Sequence, residues 1–394
     1  MTIGSRLRQR RLSLGYTLDE LKDLIQKEGH NISKASLSKY ELDKSIPKST
    51  NLWYISRILN TAPDYFLRKS NFEINWIAFR KNTKLTKREE DRIRYYAKEQ
   101  VEARYFLTDL IGKDLKEVDL PKFKINSIKE IELTAEKLRS IWKINFWPIE
   151  SITSLLEEKG VFIVHIDSEK DFDGLSGYVD DKYPIIISAN LTTIDRKRLN
   201  IAHELAHLIL EIDDLNEESV AFRFAAALLI PKEILFENIG NKRKNIDIRE
   251  LIILKEEFGI SIQALIRRCF DLNIITNNEY KNMNILIRSQ GLHINEPGQC
   301  SNKETPSAIT SKLLRAISEG LTTESEVLSR FPSLSHDMGN EDMVIDLRKN
   351  IINYNENQLS KAAQNVLDEY NENGNLTGFE INDDIMDYYE SSER

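Results

Sequence analysis

The sequence predicts an α+β protein, mostly α, in four parts. These are a bundle of short helices over 1–68, a helical connector over 69–126, an α/β domain with a small sheet over 127–290, and a helical C-terminal region over 291–394. Three observations predict this. Apolar residues recur at helical spacing through most of the chain, with cap signals ahead of them. One stretch, 161–188, instead carries β-branched and aromatic runs broken by turn residues. Finally, 394 residues at 41% hydrophobic content exceed what one core usually organises, so two or three domains are expected.

Residues 3–12 are basic, with Ile3, Leu7 and Leu12 available for a buried face, and Gly15 ends the segment. Thr17 caps a helix, TLDELKDLIQ, with Glu20 completing a capping box. Ser33 caps KASLSKYEL, and Pro47 stops the chain before NLWYISRIL. Residues 84–111 form a long charged helix in which Ile93, Ala97, Val101 and Tyr105 fall on one stripe. That stripe either packs inside the chain or pairs two copies as a homodimer. The segment 111–130, with Pro121, reads as a linker. Helices follow at 131–142 and 150–159, the second ending at Gly160. VFIVHID (161–167), GLSGYVD (174–180) and YPIIIS (183–188) read as a small sheet. Two more helices come next, the second closed by Pro231. Residues 247–289 are again helical, 291–305 form a loop, and short helical signals then alternate with polar loops.

No run of about 18 apolar residues exists, so no membrane span is expected. The opening MTIGSRLRQRR lacks the apolar stretch and cleavage site of a signal peptide. Two cysteines, Cys269 and Cys300, build neither a disulfide framework nor a metal-ligand spacing, and a reducing cytoplasm fits them. The net charge of -8 argues against nucleic acid until its distribution is read. Residues 1–70 hold 13 Lys/Arg against 7 Asp/Glu, whereas 366–394 hold 9 acidic residues against one Arg. The two ends are therefore expected to meet different partners.

Chemistry concentrates in His203-Glu204-Leu205-Ala206-His207. Histidines at i and i+4 of a helix share a face one turn apart, so both imidazoles reach one cation. Glu204, beside the first, reaches a metal-bound water without becoming a ligand. Catalytic zinc usually takes three protein ligands and leaves one position open. Glu218, opening the next helix ESVAFRFAAALLIP, is the expected third; Glu211, Asp213, Asp214 and Glu217 are the alternatives. One Zn²⁺ so held lowers the pKa of its water to about 7 and polarises a carbonyl. Glu204 then takes the water's proton and delivers it to a leaving amine. YPIIIS is expected to accept an extended peptide at its edge. Tyr178 and His165 are candidates for a transition-state helper, with packing or surface roles as the plainer reading. His30, His293 and His336 lack partners at useful spacing and read as structural or surface residues.

The run DRKRLNIAHELAHLIL followed by EESVAFRFAAALLIP resembles the ImmA/IrrE metallopeptidase family. The pattern of that family is an Arg-rich lead, HELxH, and a later Glu ahead of an (R)FAxxLLxP helix. FDGLSGYVDDKYPIIISAN resembles its sheet and substrate-edge region, and LKEEFGISIQALIRRCFDLNIIT its helical extension, so the likeness spans about 127–290. It implies a zincin-like domain, with metal roles on His203, His207 and Glu218 and the base role on Glu204. At the other end, ISKASLSKYELDKSIPKSTNLWYISRIL resembles the recognition helix and following helices of an XRE-type helix-turn-helix. Leu18 stands where a Gln is usual, Lys22 where a small residue is usual, and Lys27 to Asn31 lengthen the turn. This likeness implies double-stranded DNA as a partner of residues 1–68. Lys34, Ser36 and Lys39 would face the major groove and Ser33 and Lys44 lie near phosphates, while Tyr40 and Glu41 suit structural roles.

Together the two likenesses imply a regulator of phage, mobile-element, toxin–antitoxin or stress genes. Its peptidase would cleave a repressor or partner protein, from the adjacent gene or in this chain itself. Two other readings compete. One is a non-catalytic antitoxin or repressor that holds its partner through the peptidase fold and the C-terminal region. The other is a helix-turn-helix used only for protein contact, against which the positive N-terminal balance argues. SKLLRAISEGLTTESEVLSRF has the look of the family's last helices, and the acidic tail after about 337 lies outside the resemblance.

Overall fold

The computed structural model describes residues 2–67, 72–77, 85–112, 118, 120–167, 172–190 and 193–334. The acidic tail 366–394 and His336 lie outside the described residues. The chain divides into two compact units. One runs to Asn71 and includes the segment from Ser325; the other runs from Phe72 to Glu324. The described residues form fifteen α-helices and six short strands, an α+β protein that is mostly α.

The first unit is a bundle of α1 (Ile3–Ser13), α2 (Leu18–Lys27), α3 (Lys34–Glu41) and α4 (Ser49–Ile58), followed by a 3₁₀ turn over Pro63–Leu67. Thr17 forms the expected capping box: its hydroxyl accepts from Glu20 N, and its own N–H donates to the Glu20 carboxylate at 2.6 Å. Leu7, Leu21, Ile25, Leu37, Leu52 and Ile55 make the core. α1 crosses α3 closely at Gly4, where a Cβ would lie 2.1 Å from the Tyr40 carbonyl oxygen. The basic look of α1 is misleading, because Arg6, Arg10 and Arg11 are buried. Arg11 donates to both carboxylate oxygens of Glu41 at 2.5 and 2.7 Å, and Arg10 donates to the Leu59 carbonyl at 3.0 Å. A further short helix, Glu324–Arg330, carries buried Val327 and Leu328.

The second unit opens with β1 (Ile74–Trp76) and α5 (Lys87–Leu110), then β2 (Phe123–Ile125), α6 (Ile128–Ile141) and α7 (Ile152–Glu158). Next come β3 (Phe162–Ile166), β4 (Gly174–Val179), β5 (Tyr183–Ala189), α8 (Ile194–Ile209), β6 (Leu210–Ile212) and α9 (Glu217–Leu229). Helices α10 (Lys232–Asn238), α11 (Ile248–Phe258), α12 (Ile262–Asp271), α13 (Asn277–Ser289) and α14 (Ala308–Ser318) complete it. Four strands form one sheet in the order β1-β4-β5-β3; β1–β4 and β4–β5 are antiparallel and β5–β3 is parallel. The β4–β5 hairpin turns through Asp180 and Asp181, with φ of 52° and 57°, as tight hairpin turns require of both central residues. β2 and β6 form a separate parallel pair.

Alternate strand residues serve two cores. Val164, Leu175, Val179, Ile185 and Ile187 meet Ile93, Ala97 and Val101 of α5. Ile163 and Ile186 meet Ile201 and Leu205 of α8. The stripe on α5 is thus spent inside the chain. Residues expected as a separate connector, β1 and α5 among them, are built into the second unit. YPIIIS is not an edge: β5 lies between β4 and β3. Its unbroken apolar run is what a strand buried on both faces requires. β1 and β2, three residues each, are too short for any period to mark them in the sequence.

Candidate metal centre

α8 and α9 pack through small residues, Ala202 and Ala206 among them on α8 and Ala221 and Ala225 on α9. The close approach carries Glu218, in the first turn of α9, across to the histidines of α8. Asn216 caps α9 by accepting from Ser219 N at 2.9 Å, and the helix N-terminus favours the Glu218 carboxylate. His203 Nε2 lies 3.1 Å from His207 Nε2 and 3.3 Å from Glu218 Oε2, and His207 Nε2 lies 3.7 Å from Glu218 Oε1. Tetrahedral zinc with ligands at about 2.0–2.1 Å has its ligand atoms about 3.3 Å apart, so this donor set fits a zinc ion. Among the described residues it is the one group of three or more His, Cys, Asp or Glu side chains that meets in this way. Glu211, Asp213, Asp214 and Glu217 do not join it.

Burial holds His203 as the neutral imidazole that a ligand must be. Desolvation, with His207 adding to it, brings its pKa down to about 3. Glu204 is also buried, with its Oε2 facing no hydrogen-bond partner. Desolvation pushes its carboxyl up to about 8; the Ser176 hydroxyl opposes the rise, and Glu218 and Asp173 add to it. A buried carboxylate oxygen without a partner needs a donor, which a metal-held water is suited to supply. The Glu218 side chain is 30% exposed, so the group is not sealed from solvent.

Three residues at the site have roles that sequence reasoning missed. Gly174 lies against Glu204: a Cβ there would stand 2.8 Å from Cγ and 2.9 Å from Oε1, so only glycine leaves the carboxylate its place. Ser176 faces Glu204 from the same strand. Phe222, one turn after Glu218, sets its ring 4.1 Å from that of His203 and is 46% exposed. Only the glycine had a detectable signal, since glycine inside a strand often marks a close approach.

The remaining residues fall elsewhere. The Tyr178 hydroxyl donates to the Leu208 carbonyl at 3.1 Å and accepts from Lys122 Nζ at 2.9 Å, which ties β4 to the end of α8. His165 sits on β3, separated from β4 by β5, with Nδ1 3.3 Å from Lys197 Nζ. Desolvation, with Lys197 adding to it, brings its pKa down to about 3. Neither has its ring functional group committed to the metal residues. α8 itself is anchored by Arg198, which is fully buried. It donates to the Gly259 carbonyl at 3.0 Å, to the Ile149 carbonyl at 2.6 Å, and to Glu304. Glu304 in turn accepts from Ile152 N and Thr153 N at the start of α7, at 3.1 and 2.9 Å.

In the first unit, Ser33 caps α3 by accepting from Ser36 N at 3.0 Å. Lys34, Lys39 and Lys44 are exposed, and Lys34 pairs with Asp19 at 2.5 Å on the surface, where screening leaves such a pair little strength. Tyr40 and Glu41 are buried; the Tyr40 hydroxyl accepts from Asn51 Nδ2 at 3.0 Å. His30 Nε2 donates to Asn51 Oδ1 at 2.7 Å, and the ring stacks on Tyr54.

Comparison with known families agrees with both halves of this geometry. Residues 156–270 match the family model described as the IrrE N-terminal-like domain, and residues 7–66 match a helix-turn-helix model. The chain thus joins an XRE-type helix-turn-helix to an ImmA/IrrE-like, metallopeptidase-like domain. No curated protein matches the chain. No helix among the described residues is long and apolar enough to cross a membrane.

Proposed function

We propose that this chain is a DNA-binding transcription regulator whose second unit is a zinc-dependent endopeptidase acting on a repressor or partner protein. The observation that carries the reading is the meeting of His203, His207 and Glu218 around one point, beside the buried carboxylate of Glu204. Bound there, one Zn²⁺ would supply a water of lowered pKa and polarise the scissile carbonyl. Glu204 takes the attacking water's proton. In that role the same carboxyl then passes the proton to the leaving amine. Gly174 and Ser176 keep the carboxylate in position, and the apolar packing of α8 on α9 keeps bulk water from it. Phe222 offers an apolar wall beside the metal for a substrate side chain.

On the first unit, Lys34, Ser36 and Lys39 are the side chains proposed to meet base edges in the major groove, with Ser33 and Lys44 at phosphates. The partner protein is proposed to be encoded beside this chain's gene. The test is the Glu204→Gln protein, co-expressed with the neighbouring gene product. It is expected to bind one zinc and leave the partner intact, while the unaltered chain cuts it. Equal cutting by both proteins rejects the role given to Glu204. A partner bound and silenced equally well by both, and cut by neither, replaces the peptidase with a binding regulator.

A further inference from the structure

We propose that β1 is an internal stand-in for the protein substrate: it holds the edge of β4 along which an extended peptide would reach Glu204, and it must leave before such a peptide can pair there. The inference rests on the peptidase reading for what the displaced ligand is.

β4 is the strand nearest the chemistry. Gly174 lies against Glu204, Ser176 faces it, and the Tyr178 hydroxyl reaches the last turn of α8. Those alternate residues therefore mark the α8 face of the strand. Peptides are commonly recognised by adding a strand to an exposed sheet edge, with main-chain hydrogen bonds for affinity and alternate side chains for selectivity. β4 has β5 on one side and β1 on the other, so among the described residues its outer edge is already taken.

β1 is placed as a substrate would be. It pairs antiparallel, Ile74 opposite Val179 and Trp76 opposite Gly177, and Ile77 N donates to the Ser176 carbonyl at 3.0 Å. The chain thus advances along β4 from Val179 toward Ser176, the end at which Glu204 lies. Cross-strand partners share a face, so Ile77 projects on the same face as Ser176. On the other face, Phe72 is buried and Ile74 and Trp76 pack against the core beneath α5. Gly177 permits the approach, since a Cβ there would stand 2.4 Å from the Asn75 carbonyl oxygen. At the hairpin end, Asn75 Nδ2 donates to Asp181 at 2.8 Å and Glu73 N to Asp180 at 2.9 Å. The pattern that β4 accepts is accordingly an extended segment with apolar residues at alternate positions.

The strand is also built to let go. It is three residues long and none of the three is fully buried, whereas β5 is buried over six of its seven residues. Short edge elements with few buried contacts open locally at far lower cost than central strands.

The test uses the full chain and a labelled peptide copying residues 72–77, Phe-Glu-Ile-Asn-Trp-Ile, read by fluorescence anisotropy in a Glu204→Gln background. Adding Trp76→Ala and Ile77→Pro removes an anchor and the donor to Ser176. It is expected to tighten peptide binding by about tenfold or more, because the competent state is no longer hidden. Unchanged affinity in a variant with native circular dichroism overturns the inference. A second measurement needs no variant: hydrogen exchange at Ile77 in the unaltered chain is expected to proceed by local opening, well ahead of the β5 amides. Exchange at Ile77 only with global unfolding makes β1 a permanent strand and overturns the inference. Neither readout uses cleavage. With Glu204 left in place, an unmasked chain that binds the peptide but hydrolyses no protein therefore supports the masking and sinks the peptidase. A chain that hydrolyses protein equally well with and without the two β1 substitutions does the reverse.

Discussion

Helices α8 and α3 both set polar side chains at helical spacing, and they use them in opposite ways. On α8 the polar groups are buried and converge: His203, Glu204 and Arg198 all lie inside, each facing groups from other elements. On α3 the lysines are exposed and diverge, and the one buried charge, Glu41, is matched by Arg11 within the bundle. A buried, convergent site depends on a single arrangement, because each group loses water and regains interaction only from named partners. An exposed face works by summed charge, so each residue contributes little alone and salt weakens all of them. Single substitutions should therefore act almost all-or-none at the buried groups of α8 and by small steps on α3.

The largest effect is expected at the ligands. Glu218→Ala or His207→Ala should lose zinc through gel filtration and lose all cleavage, as should chelation of the unaltered chain; metal content and a cleavage assay check this. Zinc retained at full stoichiometry by Glu218→Ala would break the contrast at its strongest point. Next, Arg198→Ala should destabilise the second unit by about 3–5 kcal/mol, the usual result of stranding one partner of a buried pair. It should loosen α8 without touching the metal directly, which denaturant titration reads. Gly174→Ala sharpens the comparison further: zinc should stay bound while cleavage falls, because the new methyl group displaces Glu204 and not the ligands.

A smaller effect concerns acid. His165 titrates at about 3 in the folded chain against an ordinary 6.5, so burying it neutral contributes stability that is complete above about 6.5 and lost as pH falls toward 3. His165→Gln should flatten the loss of stability over that window, seen in melts at pH 4 and pH 7. The smallest effect is expected on α3. Lys39→Ala should change stability by no more than about 0.5 kcal/mol and should weaken DNA binding while relaxing its sequence preference, as loss of a base-edge contact does. Its neighbour Glu41→Ala should instead damage folding, by leaving Arg11 buried without its carboxylate. If Lys39 proved the more destabilising of the two, the contrast between convergent and divergent charge would fail inside a single helix.

Much of this was legible in the chain. The capping box at Thr17, the paired histidines and the hairpin strands are all set by residues within a few positions of each other, where helix and strand periods act directly. Glu218 was legible as the expected third ligand from its place at a helix start and from the resemblance, with Glu211, Asp213, Asp214 and Glu217 as alternatives, and the packing of α9 on α8 brings Glu218 to the histidines. The basic count of the first 70 residues was correct as arithmetic, but it included Arg6, Arg10 and Arg11, which the fold takes inside. The three-residue strands carried no period to read.

The residues alone thus determined which groups share a helical face and where helices begin, because backbone geometry enforces such relations over a few residues whatever lies beyond. Three-dimensional packing decided which acid meets the paired histidines, why a side chain at Gly174 would crowd Glu204, that Glu304 answers Arg198 from more than a hundred positions away, and that β1 and not a chain end lies along β4. Those relations join segments whose separation in the chain leaves no periodic trace, and only the burial of one surface against another brings them together.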